Sequence, residues 1–405
     1  MEQKQIFVSI LTIAISSLFL SDNRLRRLLL CKLSLVHLQI ICFFRGTKES
    51  SEKFQHIDGK DPQPYVSAIY IYPVKSLRAV SLQSCQLSSF GLKNDRCLMV
   101  VKPRLVPPSR RNPSSHRFIT QRQAPSLATI NASIPTIPSE KEVGLYISLS
   151  HRGNENECSR ISKEKQQPIR IDVSDNALRR YSKERKYLVG IWDDVVEVAD
   201  VGDEAAEFVQ AILEKDSLAN GNFQDVRVVT IIPSTKRELD KRYLPYAAFH
   251  DLGTVPRISL SDGFPILIAS QKSLEELNRR LLKKGKDVLP MSRFRPNIVI
   301  SGIIEPFDED HWKAVRIGDC LFHVVKGCPR CKQSCTDQNT GKCSEEPLVT
   351  LREFRALGSS KTDVYFAQNA VANNASCGKE IRVGDSVRVI TRGKPVWDMD
   401  AVKAQ

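Results

Sequence analysis

The chain has 405 residues, enough for two domains or for one domain with extended ends, and its 41% hydrophobic and 26% charged content is that of an ordinary globular protein with a core. The formal net charge of +14 is concentrated: six Lys or Arg residues and no acid lie between Lys102 and Arg122, much of it a Pro/Ser-rich loop, and 152–186 is dense in bases mixed with acids. Aromatic–basic interleaving of the RNA-binding kind and a recognition-helix pattern are both missing, which sets nucleic acid aside in favour of an acidic protein partner, an anionic cofactor or a membrane surface.

The eleven cysteines are odd in number, and five of them fall between Cys320 and Cys343. That clustering points to a site in a reducing compartment rather than to staples through a small secreted fold.

The first 62 residues read as a hydrophobic and basic extension with a linker. An apolar run over 7–20 is followed by Arg24, Arg26 and Arg27, and a second run over 33–44 is interrupted by His37 and Gln39. The first run falls short of the roughly 20 residues that cross a bilayer. A signal anchor with arginines on its cytoplasmic flank, a cleaved leader and a poorly ordered extension all remain open.

From Tyr65 the pattern changes to short strands. They are predicted over 66–72, 80–87, 97–101, 128–134, 144–149, 169–173 and 195–198, with turn signals between them, which suggests a small β-barrel or sandwich. A helix over 203–214 follows, with Ala206, Phe208, Val209, Ile212 and Leu213 on one face, and then a strand over 226–232. Ser273 with Glu276 reads as a capping box that opens a second helix. A strand over 297–301, a hairpin of 312–317 with 320–325, a helix over 347–357 with Pro347 in its first turn, and a hairpin over 381–390 complete a β-rich chain with few helices.

The candidate chemistry starts at Cys328 and Cys331. With Cys335 and Cys343 they could ligate zinc or an iron–sulfur cluster, although the second spacing is long for either. A redox thiol pair, structural thiols, or one functional thiolate beside Arg330 are the alternatives. Lys75-Ser76, Arg96 after Asp95, and Arg295-Pro-Asn297 each read in isolation as polar turns or surface ion pairs.

Together these segments resemble a known family. The segments Tyr72-Pro-Val-Lys-Ser, Gly91 to Asp95-Arg96, Thr120-Gln-Arg-Gln-Ala-Pro-Ser-Leu, Asp262-Gly-Phe-Pro-Ile-Leu, Arg293-Phe-Arg-Pro-Asn, Cys328-Pro-Arg-Cys and Phe366-Ala-Gln-Asn occur in the order found in MOSC-domain molybdenum proteins. These include the mitochondrial amidoxime-reducing component and the C-terminal domain of molybdenum cofactor sulfurase. The resemblance spans about 65–393. It implies a mixed, β-rich α+β fold: an N-terminal MOSC β-barrel domain over 65–200, then a MOSC β-barrel domain with peripheral helices over 226–393.

It further implies molybdenum cofactor (Mo-molybdopterin) as the bound group, with Cys331 as the catalytic molybdenum ligand. Lys75, Ser76 and Arg96 would hold the pterin phosphate and ring. Asp262, Arg295, Asn297, Pro329, Arg330 and Asn369 would make further cofactor contacts. Phe264 stands where a relative has Ser. Lys and Arg suit the anionic end of such a cofactor, and Asp and Asn suit a pterin edge.

The implied activity is reduction of N-hydroxylated compounds such as amidoximes and hydroxylamines. Electrons would come from cytochrome b5 and NADH-cytochrome b5 reductase, in keeping with the lack of a Gly-x-Gly-x-x-Gly fingerprint. The implied location is intracellular, at the mitochondrial outer membrane through an N-terminal anchor. A cofactor carrier or sulfur-transfer protein without turnover is the alternative. Pyridoxal phosphate binding attaches to the family only at domain level, and a desulfurase domain that would use it has no room in this chain. The basic loop over 105–117, an insertion over 151–165 and the extra Cys335 and Cys343 depart from the family pattern.

Overall fold

Strand Tyr65–Ile71 turns Val66, Ile69 and Ile71 to one side, with a bulge between Val66 and Ala68 accounting for the extra residue in an otherwise period-two pattern, and that places it in a sheet with a buried face. The computed structural model describes residues 63–134, 146–151, 168–220, 223–232, 235–244, 255–360 and 362–398. These belong to a single unit, Pro62–Gln405. The N-terminal apolar runs, the expected anchor and all but His151 of the 151–165 insertion lie outside the described residues.

The larger sheet has eight strands in the order Val387–Arg392, Trp312–Ile317, Cys320–Arg330, Val364–Ala372, Ile266–Ser270, Ile298–Ser301, Tyr65–Ile71 and Val80–Leu82. It curls until its ends approach. Val66 N–H donates to the Asp385 carbonyl at 2.9 Å, and Val387 N–H donates to that of Pro64 at 2.8 Å. Two of its central strands show no alternation in the sequence. Every residue of Ile266–Ser270 is buried, and so is nearly all of Val364–Ala372, because both faces of these strands are covered.

The second layer is a closed barrel of Lys186–Ile191, Asp194–Asp200, Arg227–Ile231, Leu98–Pro103 and His116–Phe118, whose last strand pairs in parallel with the first. Met99, Val101, Val189, Ile191, Val198 and Val229 fill it. Part of the stretch expected to be a basic loop is therefore strand, with Arg117 opposite Lys102. Strands Ile130–Ser133, Tyr146–His151 and Ile169–Asp172 form a separate three-stranded sheet.

The helix expected over 203–214 runs longer, as Asp203–Asn220, and all five residues of its expected apolar face are buried. The next helix is Gln271–Lys283, with Leu274, Leu277 and Leu281 packed against Leu267, Ala269 and Phe366. Its cap corrects the capping-box reading. Ser270 is the N-cap and accepts from Ser273 N–H, while the Ser273 hydroxyl donates to the buried Glu309 carboxylate at 2.7 Å. Ser273 is spent on a tertiary contact, so its spacing to Glu276 does not cap the helix.

Two C-terminal expectations change as well. The helix near Pro347 is short, Leu348–Arg352. The expected hairpin over 381–390 is instead two strands in different sheets: Glu380–Arg382 pairs with Ser84–Ser88, and Val387–Arg392 pairs with Trp312–Ile317.

Candidate functional site

A cavity of about 440 Å³ opens between the barrel and the large sheet, lined from both halves of the chain. Every site position named from the sequence lies on its wall: Lys75, Ser76, Arg96, Asp262, Arg295, Asn297, Pro329, Arg330, Cys331 and Asn369. Local turn motifs far apart in sequence are thus brought together.

The floor is built where strand Tyr65–Ile71 leaves the sheet. Lys75 N–H donates to the Leu98 carbonyl at 2.8 Å, which ties the Pro-Val-Lys-Ser segment to the barrel. Asp95 is buried, accepts Tyr72 N–H at 2.7 Å and pairs with Arg96. Arg96 Nη1 also donates to Asn297 Oδ1 at 3.2 Å. The guanidinium groups of Arg96 and Arg295 lie over the Tyr72 ring at 4.8 and 4.2 Å from its centroid. Burial pushes the Tyr72 phenol well above its ordinary range, so it stays neutral beneath them. Ser76, Arg96 and Arg295 all hold positive φ, at 70°, 48° and 53°. Such backbone is unfavourable for residues with a Cβ and gathers where surrounding contacts force it.

Charge at this floor is unbalanced. Burial pushes Lys75 down to about 8, against the pull of Asp262 at 2.6 Å. The protein around Asp262 would raise its carboxyl, but Lys75 and then the Trp192 indole N–H hold it well below the usual carboxylate range. Burial likewise pushes Arg295 down to about 10. Arg295 is 8% exposed and donates to Gln338 Oε1 at 2.9 Å, and among the described residues no carboxylate pairs with it. Arg293 Nε is a buried donor without a partner among the described residues, although its Nη1 and Nη2 donate to the Cys335 carbonyl and to Asp337.

The two cysteines of the Cys-x-x-Cys segment differ. Cys328 lies within strand Cys320–Arg330, and burial pushes its thiol up, which favours the protonated form. Cys331 lies just past that strand, exposed and on the cavity lining, with its carbonyl accepting from Ser334 N–H and Oγ. The guanidinium that reaches its Sγ is Arg122, at 3.8 Å. Arg330 instead donates to the carbonyls of Phe294 and Phe366, all at 2.6 to 2.9 Å, and so fixes the loop.

Asn297 is equally occupied, accepting from Leu267 N–H and donating to the Tyr70 carbonyl. Among the described residues the Asn369 side chain donates to the Gly327 carbonyl at 3.5 Å, and Phe264 packs edge-on to Tyr243 on the wall. Cys335 is buried with its thiol toward the Glu345 carbonyl, and Cys343 is exposed. Among the described residues no three His, Cys, Asp or Glu side chains converge to hold a metal ion.

Sequence reasoning missed Trp192, Gln338 and the role of Arg122. Arg122 stood inside a quoted motif, but its partner Trp192, under its guanidinium at 4.8 Å, sits at a hairpin tip that only the barrel brings near.

Comparison with known proteins agrees with this architecture. Residues 63–216 match the MOSC N-terminal beta barrel domain and residues 255–388 the MOSC domain. Mitochondrial amidoxime reducing component 2 of Rattus norvegicus is 30% identical over 329 residues, 80% of this chain and 82% of that protein. Mitochondrial amidoxime-reducing component 1 of Xenopus laevis is 29% identical over 386 residues, 93% of this chain and 95% of that protein. Molybdenum cofactor sulfurase of Arabidopsis thaliana is 28% identical over 317 residues, 76% of this chain but 32% of the longer relative. With its N-terminal barrel segment and its MOSC segment matched in order, the chain belongs to the MOSC-domain family of the mitochondrial amidoxime-reducing components.

Proposed function

We propose that this protein is a molybdenum-cofactor-dependent reductase of amidoximes, hydroxylamines and related N-hydroxylated compounds. The observation that carries the reading is Arg295, a buried guanidinium with no carboxylate partner among the described residues, on the same cavity as the accessible Cys331. Leaving a cation buried and unpaired is costly, so the floor is built for an anion that arrives from outside.

The donor set fits a phosphate-bearing, thiolate-ligated cofactor. Lys75, Arg96, Arg122, Arg293, Arg295, Lys326 and Arg330 line the cavity against Asp262 and Asp363. Lys75 and Arg295 would hold the phosphate, Arg96 and Asp262 would meet the pterin, and the Cys331 thiolate would bind molybdenum. Asn297 and Arg330 act one step back, by fixing the loops that carry these groups. When bound, the molybdenum cofactor supplies the redox chemistry that removes the substrate oxygen. Arg122 Nη1 donates to the Cys331 sulfur at 3.8 Å and so helps to hold that side chain in place.

Electrons would come from cytochrome b5 and NADH-cytochrome b5 reductase, for which the protein's net charge of +14 suits an acidic donor. A mitochondrial location rests on the relatives' names. Among the described residues no helix is long and apolar enough to cross a membrane. The division into 65–200 and 226–393 belongs to the same proposal, with the cofactor held between the two segments.

The test is benzamidoxime reduction by the full chain, loaded with cofactor and supplied with both donor proteins and NADH. Cys331→Ser should abolish turnover without altering the melt. Full activity in that variant contradicts the assignment, and bound cofactor without turnover in the wild type is the result a carrier would give.

A further inference from the structure

A second cavity, of about 520 Å³, lies beside the first and shares Arg122 and Trp192 with it. Its other basic lining residues are Arg104, Arg111 and Arg117. We propose that this basic cavity is a subsite for a carboxylate or phosphate group on the substrate, placed so that the group's far end reaches Cys331; this rests on the reductase reading above.

Three observations carry it. The first is charge: among the described residues none of Arg104, Arg111 and Arg117 makes an ion pair with an acid. Arg104 Nη1 has only the Ser114 hydroxyl, at 3.2 Å. Two acids line the cavity, and one of them, Asp194, is already taken by Arg237 at 2.7 Å. The second is rigidity. Arg117 sits in a strand paired on both sides, to Lys102 and to Gly190. The loop before it is folded back by reciprocal Ser109–Asn112 backbone bonds of 2.9 and 3.1 Å. Guanidinium forks held on such a frame match carboxylate and phosphate oxygens with little ordering cost. The third is connection. Arg122 stacks on Trp192 and reaches the Cys331 sulfur, so one side chain separates the basic cavity from the proposed reacting centre.

The experiment compares 4-carboxybenzamidoxime with neutral benzamidoxime on the cofactor-loaded full chain, in the wild type and in the Arg111→Ala/Arg117→Ala variant. Both substituted residues are exposed and outside the cofactor wall. The wild type should favour the carboxylated substrate in kcat/KM by about tenfold at low salt, and the variant should bring the two to parity with benzamidoxime unchanged. Parity in the wild type overturns the proposal. So does an equal fall for both substrates that disappears when dithionite replaces the protein donors, since that marks a docking face for an acidic protein. If no amidoxime turns over at all, the reductase reading has failed, and calorimetric binding of the same two compounds decides the subsite independently. Tighter binding of the carboxylated compound that the variant loses upholds it; equal binding overturns it.

Discussion

Glu309 offers a test of the packing that supports the cavity from behind. Its side chain is fully buried beside the large sheet, held by the Ser273 hydroxyl and adjacent to Asp310. Burial first, and then the Asp310 charge, push its carboxyl up to about 7 from an ordinary 4.5. A carboxyl raised on folding keeps its proton in the native state after the unfolded chain has lost it. Stability is therefore greatest below pH 4.5 for this group, declines as pH rises to 7, and then levels off. The shift corresponds to about 3 kcal/mol across that window. With an unfolding entropy near 2.1 cal/mol/K for each of roughly 340 residues in the folded unit, this is a melting shift of about 5 °C. Glu309→Gln mimics the protonated acid and should remove this component. The assay is thermal unfolding of wild type and variant at pH 5 and pH 8, read as the difference between them so that other titrating groups cancel. The variant should match the wild type at pH 5 and melt about 5 °C higher at pH 8. A difference that does not change with pH refutes the reasoning.

Other outcomes follow from the same geometry. Asp310 and Arg355 form a buried two-pronged pair at 2.7 and 3.0 Å, so Asp310→Ala should cost about 3–5 kcal/mol in denaturant unfolding; adding Arg355→Met should recover much of that, and simple additivity contradicts the pairing. Ser270→Ala should cost about 1 kcal/mol as a lost cap. Ser273→Ala should cost more, about 2–3 kcal/mol, because it orphans Phe307 N–H and the Glu309 carboxylate; a smaller cost than that of Ser270→Ala would contradict this tertiary role of the Ser273 hydroxyl. Since Lys75 is pushed down to about 8, sulfate, whose charge does not change over this range, should bind the cofactor-free chain with an affinity that is flat below pH 8 and declines above it, and Lys75→Arg should move that inflection upward. An inflection that stays near 8 in the variant assigns it to another group.

The parts of the fold legible in the sequence were those with one buried face. Helix Asp203–Asn220 exposes one side and strand Tyr65–Ile71 buries one side more fully than the other, so hydrophobic periodicity reports them. Ile266–Ser270 and Val364–Ala372 are covered on both sides, which erases alternation. Lys186–Ile191 hid in charged sequence although Val189 and Ile191 point inward. The site divides in the same way. Lys75, Arg96, Arg295 and Cys331 were visible as local segments. Their meeting on one wall depends on long-range pairings such as Ile69 with Ile298, which no local pattern encodes. The inward use of Asn297 and Arg330 was hidden for the same reason, since their partners are backbone atoms of distant strands.

The most direct measurement is the molybdenum and pterin content of the full chain purified from a host that makes molybdenum cofactor, alongside Cys331→Ala and Arg295→Met variants whose melts confirm folding. The account predicts about one molybdenum and one pterin per wild-type chain, with metal lost in the first variant and both lost or sharply reduced in the second. Zinc or iron in place of molybdenum, or full cofactor retained by folded Arg295→Met, would contradict it.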